Sequence, residues 1–584
     1  MTQGTGFSAW RRQALNRLEA RRAAFARPAT GFVSQPEPRT IGIFARGKQL
    51  IAGNFLFDGR LIEAPGLGLW DLKMPGSGRH SGSDSGFVAE AQGFGWLDDL
   101  AAVGDGAARA RAQDWTWDWI ARYGKGKGPG WTPDLTGRRL IRWINHALLL
   151  LSGRDRAQTL EYYHALSRQT VFLTRRWQAA APGLPRIEAL TGLIYAGLAL
   201  TGMEAHVAPA SAALARDCAT EIDAEGGIPT RNPEELLEVF TLLTWAAQAL
   251  GEAGRAVPPA HLAAIERIAP TLRALRHADG GLARFHGGGR GLEGRLDHAL
   301  ANAGVKALAH PGLSMGFARM AAGRSTVVVD AADPPNARAG ASAHASTLAF
   351  ELTSGRRPVV VCCGAGAPFG PEWQRASRAT ASHSTLTIDG FSSSRFGSGA
   401  REVLTDRASV VLALQSAGDE GAHLVLAQDG WSATHGLTHE RELMLDQAGR
   451  VLSGIDVLAA TTPAERQRFE AVMTRTRLQG VRFAIRFHLH PDVDAEIDLG
   501  GSAVSLALKS GEIWVFRHDG RAGLSLEPSV YLEKGRLKPR ATKQIVLGGI
   551  VQDFEARTGW TLAKAQDTPL AIRDLERDDL SSRP

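Results

Sequence analysis

The chain has 584 residues, of which 44% are hydrophobic and 22% charged, as expected for a soluble globular protein of about two to four domains. Lysine and arginine outnumber aspartate and glutamate by 67 to 60, and the resulting charge of +7 favours an anionic partner without identifying it. Three cysteines exclude a disulfide framework, and no apolar run approaches the ~18 residues that span a bilayer. The N-terminus shows no clear secretory signal, which favours the cytoplasm.

The N-terminal stretch is basic and has helical spacing. Residues 10–27 contain six arginines, with Trp10, Leu18 and Phe25 near one side of the predicted helix. This pattern allows a membrane-surface or nucleic-acid arm. It favours a solvated helix that is docked on the body of the protein, and we do not expect nucleic-acid binding.

The helical signal is continuous over residues 94–315. It follows an extension at 1–93, whose residues 47–72 have short strand and turn patterns. Successive segments repeat apolar residues at a spacing near 3.6, and many end at glycine, a common helix stop. Short Gly/Pro connections join them. The pattern predicts a helical array or toroid without a fixed-period sequence repeat.

The apolar period changes to two near residue 323 and stays there. Segments such as "STVVVD" (325–330), "LAFELTSG" (348–355) and "RFAIRFHLH" (482–490) alternate like strands and are separated by turn signals. Such spacing predicts an antiparallel β-sandwich over 316–570, followed by a charged tail over 571–584. The predicted fold class is therefore multidomain, first α and then β.

Two short motifs resemble those of an esterase. "HGGG" (286–289) matches an oxyanion-hole motif, and "GLSMG" (312–316) matches the nucleophile-elbow pattern around Ser314. The elbow requires a strand, a sharp turn and a helix inside an alternating α/β chain. The surroundings here are a helical domain and then an all-β domain. We therefore interpret Ser314 as a coincidence.

Three successive strand regions offer imidazole, thiol and imidazole. His344 lies in the first, Cys362 and Cys363 in the second and His383 in the third. Antiparallel neighbours can bring such groups within the ~2.0–2.3 Å bonds of a zinc site. The alternative is that the histidines lie on a rim and the cysteines are buried and inert.

A second histidine pair lies in "RFHLHPDV". His488 and His490 share one face of a strand, and Asp492 follows. Such a pair can chelate a metal, but a solvated or packed pair produces the same pattern.

The loop "EGGIPTRNPEELLEVF" (225–240) leads into a predicted helix. Asn232 is a suitable cap, and Glu234 and Glu235 favour the positive end of the helix. Capping is a sufficient explanation for these residues. Arg231 stays available for an anion.

Residues 375–390, "RASRATASHSTLTIDG", carry two guanidiniums and an imidazole directly before a strand. Arg375, Arg378 and His383 either decorate a solvated rim or converge on something anionic or metallic. Paired arginines are suited to two-pronged contact with a carboxylate.

Together these segments resemble the heparinase II/III-like family. "SAHASTLAFELTSG", "VVVCCGAG" and "RASRATASHSTLTIDG" are similar to the start of its β domain, and the likeness extends over most of residues 50–565. The resemblance implies an incomplete (α/α) toroid followed by an antiparallel β-sandwich. It also implies a polysaccharide lyase that cleaves an acidic, uronic-acid-containing glycan by β-elimination, in the cell envelope (periplasm). The lack of a visible signal peptide leaves the cytoplasm as the alternative.

The likeness is incomplete at the positions that carry chemistry. Ser342 stands where the family often has a second histidine, and the segment that begins at Asn232 lacks the family's tyrosine. "LPRIEAL" keeps Glu188 but has Pro185 and Arg186 where a histidine is expected. These losses support the alternative of a non-catalytic, repurposed protein that binds an anionic carbohydrate.

The resemblance leads to one set of site residues. The possible cofactor is a structural zinc ion, and the partner is an acidic polysaccharide or oligosaccharide. The predicted catalytic residues are Glu188, Glu235 and His383, the substrate-binding residues are Arg231, Arg375 and Arg378, and the metal ligands are His344, Cys362 and His383.

Overall fold

The computed structural model describes residues 3–25, 27–34, 38–73, 85–307, 312–388, 390–397 and 402–566. The predicted charged tail over 571–584 lies outside these ranges. The N-terminal half is helical, apart from one hairpin. Its elements are α1 (Gln3–Ala23), α2 (Phe44–Ile51), β1 (Asn54–Phe57), β2 (Arg60–Glu63), α3 (Ser85–Gly93), α4 (Gly95–Val103), α5 (Gly106–Tyr123), α6 (Pro133–Asn145), α7 (Ala147–Leu151), α8 (Arg156–Arg176), α9 (Leu184–Ala199), α10 (Val207–Glu221), α11 (Pro233–Glu252), α12 (Pro259–Ala274) and α13 (Arg295–Ala303).

The C-terminal half is built from strands, with three helices inserted. Its helices are α14 (Pro371–Ser377), α15 (Ser432–His435) and α16 (Pro463–Arg475). Its strands are β3 (Phe317–Ala322), β4 (Ser325–Asp330), β5 (Phe350–Ser354), β6 (Arg357–Val361), β7 (Leu386–Ile388), β8 (Arg395–Phe396), β9 (Leu404–Asp406), β10 (Val410–Gly418), β11 (Gly421–Trp431), β12 (Leu437–Asp446), β13 (Val451–Ala459), β14 (Val481–Leu489), β15 (Val493–Asp498), β16 (Ala503–Leu508), β17 (Ile513–His518), β18 (Gly523–Tyr531), β19 (Arg540–Val551) and β20 (Glu555–Gln566). The predicted order of helices and then strands is confirmed.

The two large sheets are antiparallel. One has the strand order β10-β11-β12-β13-β20-β17-β16-β15, and the other has the order β18-β19-β14-β6-β5-β4-β3, with β7 also paired to β14. Buried side chains alternate along β12 from Leu437 to Leu445, as a half-buried strand requires. The inward set includes His439 and Arg441, so the sandwich encloses polar groups as well as leucines.

Two helices of the toroid meet at glycines. A Cβ on Gly137 of α6 would lie 2.2 Å from the carbonyl oxygen of Glu188 on α9, and a Cβ on Gly192 would lie 2.5 Å from the Cα of Gly137. Only glycine allows backbones to approach this closely. The contact fixes the position of Glu188 against α6.

The basic N-terminal helix is docked on the helical domain, as the sequence favours. Ala20 and Ala23 are buried, and the Arg176 guanidinium on α8 donates a hydrogen bond of 2.8 Å to the Asn16 side chain. The apolar core of the helical domain is continuous from Ala20 to Leu300. The first part of the chain therefore shares this core.

The sheet that contains β3 to β6 packs against the helical domain. Phe317, Val328, Ala349 and Cys362 join the helical core, whereas the remaining apolar residues of the sandwich form a second core between its two sheets. Ser314 lies in the turn before β3, where its amide donates to the Phe317 carbonyl at 2.8 Å. No helix follows it, so the elbow motif is a coincidence, as predicted.

Among the helices that the structure describes, none combines the length and the apolar character needed to cross a membrane.

Candidate functional site

The loop between α12 and α13 reaches from the helical domain to the sandwich. His286 in this loop has a positive φ of 48° and is followed by Gly287 at 83°. This turn directs the His286 ring at the sandwich, where its Nδ1 accepts a hydrogen bond of 3.2 Å from the His344 amide. A Cβ on Gly288 would lie 2.5 Å from the Asn232 side chain. The glycines of "HGGG" therefore permit close packing and do not form an oxyanion hole.

Three histidines form a buried row at this boundary. The rings of His286 and His344 have centroids 6.4 Å apart, and those of His344 and His383 are 5.2 Å apart. The His344 Nδ1 lies 3.3 Å from the His383 Nε2. Each ring is almost completely shielded from solvent. The row joins one histidine of the toroid to two of the sandwich.

Burial keeps this row uncharged at neutral pH. It lowers the pKa of His286 and His344 well below the usual value, with nearby cations adding to the shift. For His383 burial lowers the pKa to about 3. A general base works best with a pKa near the operating pH. The low pKa and the burial of the ring do not favour His383 as a general base, and its catalytic role stays a prediction.

An ion pair between the helical domain and the sandwich lies beside the row of three histidines. The Arg231 guanidinium lies 2.6 Å from one carboxylate oxygen of Asp330, and the Ser346 hydroxyl donates to the other at 2.6 Å. Arg231 also donates to four backbone carbonyls, those of Met315, Gly316, Ala332 and Asp333. Its donors are thus committed within the protein. Arg231 therefore links the helical domain to the sandwich, and these contacts do not favour the substrate-binding role that the sequence predicts for it.

Arg378 is also a structural residue. It is buried, and its guanidinium donates to the backbone carbonyls of Gly340, Ala343 and Glu402. Arg375 differs, since its side chain is 61% exposed, and it contacts Glu402 through a 2.9 Å ion pair and the ring of Phe396 at 5.1 Å. Of the two arginines at the entrance to β7, the structure leaves only Arg375 accessible to a ligand.

Glu188 lies inside the helical domain and pairs with Arg138 at 2.6 Å. Burial raises the pKa of Glu188 to about 7, although the guanidinium opposes that shift. Glu235 lies nearer to the domain boundary, and burial raises its pKa as well. It lines a cavity of about 100 Å³ to which Arg338 of the sandwich also contributes. The structure therefore places the two predicted catalytic glutamates in different surroundings.

Further ion pairs bridge the two domains. Lys534 of the sandwich contacts Glu234, and Arg338 pairs with Glu221 at 2.5 Å. Arg284 of the helical domain lies 3.3 Å from Glu351 on β5. Glu234 also accepts a hydrogen bond of 2.7 Å from the Gly289 amide. These pairs link the helical domain to the sandwich at several points of their boundary.

The residues predicted to bind zinc do not fit a zinc site. His344 and His383 face each other, but the Cys362 side chain packs in the helical core and burial raises its pKa well above the usual value. Within the ranges that the structure describes, no group of three or more His, Cys, Asp or Glu side chains can hold a metal ion. We therefore derive no role for a metal.

The second thiol of the pair, that of Cys363, contacts a different histidine. The Cys363 sulfur lies 3.6 Å from the His488 Nδ1, which also contacts the Ser529 hydroxyl at 2.7 Å. His490 packs on the ring of Tyr531, with centroids 4.9 Å apart. The pair His488 and His490 is thus packed and does not chelate.

All five tyrosines lie in the part of the chain that the structure describes. None of their hydrogen bonds or ring contacts there involves His286, His344 or His383. Tyr162 donates to the Trp143 carbonyl, Tyr195 contacts Arg39, and Tyr531 lies under the Arg284 guanidinium at 4.2 Å. None of them lies in the segment that begins at Asn232, where the family resemblance places a tyrosine.

Sequence reasoning did not identify two central residues of this boundary. In the sequence His286 is part of an esterase-like motif, and Asp330 is the end of a predicted strand. The one sequence signal that marks His286 is its position directly before a "GGG" run. No local pattern marks Asp330, because its partners Arg231 and His286 are distant in the sequence.

Comparisons with known proteins agree with this architecture. The model of the heparinase II/III-like C-terminal domain matches residues 305–561. The chain is 32% identical over 558 residues to the "FtsZ-localized protein C" of Caulobacter vibrioides (strain NA1000 / CB15N), which covers 93% of this chain and 92% of that protein.

Two solved structures show the same fold. The crystal structure of heparinase III has a TM-score of 0.63 at 11% identity and covers 96% of this chain and 90% of its own. That of a heparan sulfate lyase HepC mutant from Pedobacter heparinus has a TM-score of 0.57 at 13% identity and covers 96% and 89%. The predicted toroid followed by a β-sandwich is thereby confirmed. The chain belongs to the heparinase II/III-like family.

Proposed function

We propose that this chain is a non-catalytic member of its family, which acts by binding and not by cleaving a glycan. The observation that carries this proposal is the state of Arg231. A lyase needs a cation that neutralises the uronate carboxylate, and this guanidinium already contacts Asp330 and four carbonyls. An arginine with these partners has no donor left for a substrate.

The chemistry of β-elimination supports the same conclusion. The reaction requires a base near the C5 proton and an acid near the leaving oxygen, and each such group typically contributes 10²–10⁴-fold. His383 is enclosed and has a pKa of about 3, and the tyrosines of the chain have other partners. The loss of both groups would remove most of the rate enhancement.

The proposed binding partner is inferred from the relative that is 32% identical to this chain. That protein is named for its localisation to FtsZ. We infer that this chain likewise associates with FtsZ of its own cell, with the lyase fold serving as a binding scaffold. An acidic polysaccharide or oligosaccharide is the ligand that the fold suggests in addition.

The experiment has two arms that use the full chain. In the first, the protein is incubated with heparan sulfate, chondroitin sulfate and polygalacturonate, and the ultraviolet absorbance of the unsaturated product is followed. In the second, it is sedimented with polymerised FtsZ. We expect no rise in absorbance and co-sedimentation with the polymer. A rise that Glu235→Gln abolishes would overturn the loss of catalysis, and absence from the FtsZ pellet would overturn the binding role.

Retained β-elimination on an acidic, uronic-acid-containing glycan is the second candidate. Glu235 is the observation that favours it, because this carboxyl has a raised pKa and lines the cavity between the domains. In that case Glu235 would transfer the proton and Arg375 would contact the glycan. The absorbance arm separates this candidate from the first.

A further inference from the structure

Strand β10 forms one edge of its sheet, and β11 is its neighbour on the inner side. Its sequence, "VVLALQSAG", contains no charged residue and no proline. Every residue from Ala413 to Gly418 is exposed, and the exposed fractions of Val411 and Leu414 are both 59%. Within the residues that the structure describes, no strand pairs with the outer side of β10. An apolar edge of this kind is a template for pairing with another chain.

The other three edges of the two large sheets are protected. Strand β15 has the sequence "VDAEID", in which three residues are acidic, and β18 is interrupted by Pro528. Strand β3 is covered by the helical domain, because its Arg319 guanidinium donates to the Ala274 carbonyl of α12 at 2.9 Å. Charge, proline and a covering element each prevent pairing at a sheet edge. In the described part of the chain, β10 is the edge that lacks these features.

The sequence of β10 is suited to antiparallel pairing with a second copy of itself. When a twofold axis passes next to Ala413, residues at equal distances from Ala413 lie opposite each other. Leu412 of one copy then faces Leu414 of the other, and Val411 faces Gln415. Opposed side chains share one face of the sheet, so the two leucine pairs form apolar contacts. No like charges meet, because the strand carries none.

The same register brings opposite charges together at both ends of the strand pair. Asp419, in the turn between β10 and β11, lies six residues after Ala413, and Arg407 lies six residues before it. Asp419 is exposed, and Arg407 is half-buried and donates to the Pro334 carbonyl at 2.8 Å. An antiparallel pair places Asp419 of each copy near Arg407 of the other. A parallel pair in register would place like charges side by side, so charge favours the antiparallel arrangement.

We propose that two copies of this chain associate through β10, which pairs antiparallel with β10 of the second copy. The sheet of one copy then continues into the sheet of the other, and the unpaired backbone groups of both edges gain partners. A strand pair by itself is a small interface, so the dimer is reversible and depends on concentration. The proposal goes beyond the binding of FtsZ or a glycan and depends on neither.

Sedimentation velocity of the full chain over a wide range of protein concentrations tests the proposal. We expect a monomer that converts to a dimer as the concentration rises. Leu414→Lys should raise the dissociation constant at least about tenfold, because it brings two positive charges into the strand pair. Ile497→Lys is the matched control, since Ile497 is 49% exposed on β15 at the other edge of the same sheet, and it should leave the dimer unchanged. Circular dichroism and the thermal midpoint confirm that each variant is folded.

Cysteine cross-linking tests the position of the twofold axis. Ala413→Cys places a thiol opposite its own copy, where Cα atoms about 4.5–5.5 Å apart allow a disulfide. Under a mild oxidant, which accepts the two electrons, this variant should form a covalent dimer. Val411→Cys should not, because the two Val411 positions would lie four residues apart along the strands, about 14 Å. The three native cysteines are buried, so they do not compete for the oxidant.

A charge exchange adds a rescue that a purely structural role of Arg407 would not produce. Arg407→Glu should weaken the dimer roughly fivefold, since two exposed ion pairs are lost, and adding Asp419→Arg should restore it. A chain that stays monomeric at every concentration would overturn the proposal, as would a dimer that Leu414→Lys leaves intact. Cross-linking of Val411→Cys but not Ala413→Cys would overturn the register. A monomer whose co-sedimentation with FtsZ is lost in Leu414→Lys would assign the edge to FtsZ instead.

Discussion

Arg231 of the helical domain and Asp330 of the sandwich form an ion pair of 2.6 Å across the boundary between the two domains. The Asp330 carboxylate is completely buried, and Ser346 and Arg231 satisfy its two oxygens. Arg231 adopts a positive φ of 49°, which is unusual for a residue with a side chain. The surrounding contacts hold it there. This pair joins the two domains at one point of their boundary.

Arg231→Ala should destabilise the protein strongly. The change leaves the buried Asp330 charge without its partner, and loss of one partner from a buried pair typically costs about 3–5 kcal/mol. Urea unfolding followed by tryptophan fluorescence measures the loss. Arg375→Ala is the matched control, because the exposed pair of Arg375 with Glu402 is worth about 0–1 kcal/mol. Equal effects of the two substitutions would contradict the structural role of Arg231.

The sequence predicts the fold well because the apolar period is local information. The alternation in 482–490 identifies β14, and the short β-branched run in 325–330 identifies β4, which is buried at every position. The spacing of 3.6 identifies the toroid helices. The prediction of an all-β domain does not include helix α16, which lies inside the β region. Its capping box at Thr462 and Glu465 is visible in the sequence as "TPAE" and provides the signal that would have found it.

The sequence predicts the site residues less well than the fold, because tertiary contacts decide whether a side chain is buried and which partners it has. Asn232 caps α11 as its position in the sequence indicates. Arg231, one residue earlier, was interpreted as a free anion ligand, but its partners lie about a hundred residues away on the sandwich. Arg378 likewise was assigned to a glycan and instead binds carbonyls. Residue type alone does not distinguish these two uses of a guanidinium.

Asp456→Asn should destabilise the sandwich, and the loss should depend on pH. Asp456 on β13 faces Arg441 at 2.8 Å, His439 at 2.8 Å and the Trp560 indole at 2.9 Å, all inside the core. These donors hold the pKa of its carboxyl well below the usual value. The stabilisation is therefore complete above the unfolded pKa of about 3.9. It is lost as the pH falls from this value through the lower pKa of the folded state.

At neutral pH the expected loss for Asp456→Asn is about 3–5 kcal/mol, because Arg441 is left charged and buried. The difference from wild type should shrink as unfolding is measured at successively lower pH below about 4.5. Glu442→Gln is the control, since its 2.7 Å pair with His423 is exposed and should change stability by about 1 kcal/mol or less. A difference that stays constant with pH would contradict this account.

Thr462→Ala should destabilise α16 by about 1 kcal/mol. The Thr462 hydroxyl accepts a hydrogen bond of 3.2 Å from the Glu465 amide, and the Glu465 side chain accepts one of 2.9 Å from the Thr462 amide. Thr462→Ser retains the cap and should remain near wild type. Hydrogen exchange of the first turn of α16 provides the local measurement. Unchanged exchange in the alanine variant would mean that the cap contributes nothing.

Chelation should leave the stability of the protein unchanged. A structural zinc site contributes about 10–16 kcal/mol of apparent binding free energy, so its removal would lower the urea midpoint sharply. Here the ring nitrogens of His344 and His383 face each other at 3.3 Å, while Cys362 packs in the helical core. We therefore expect far less than one zinc per chain by elemental mass spectrometry, and the same midpoint with or without EDTA. Cys362→Ala should lose stability through packing alone, to the same extent in both conditions. Stoichiometric zinc that disappears in Cys362→Ala or His344→Ala would show instead that these three residues do converge on a metal.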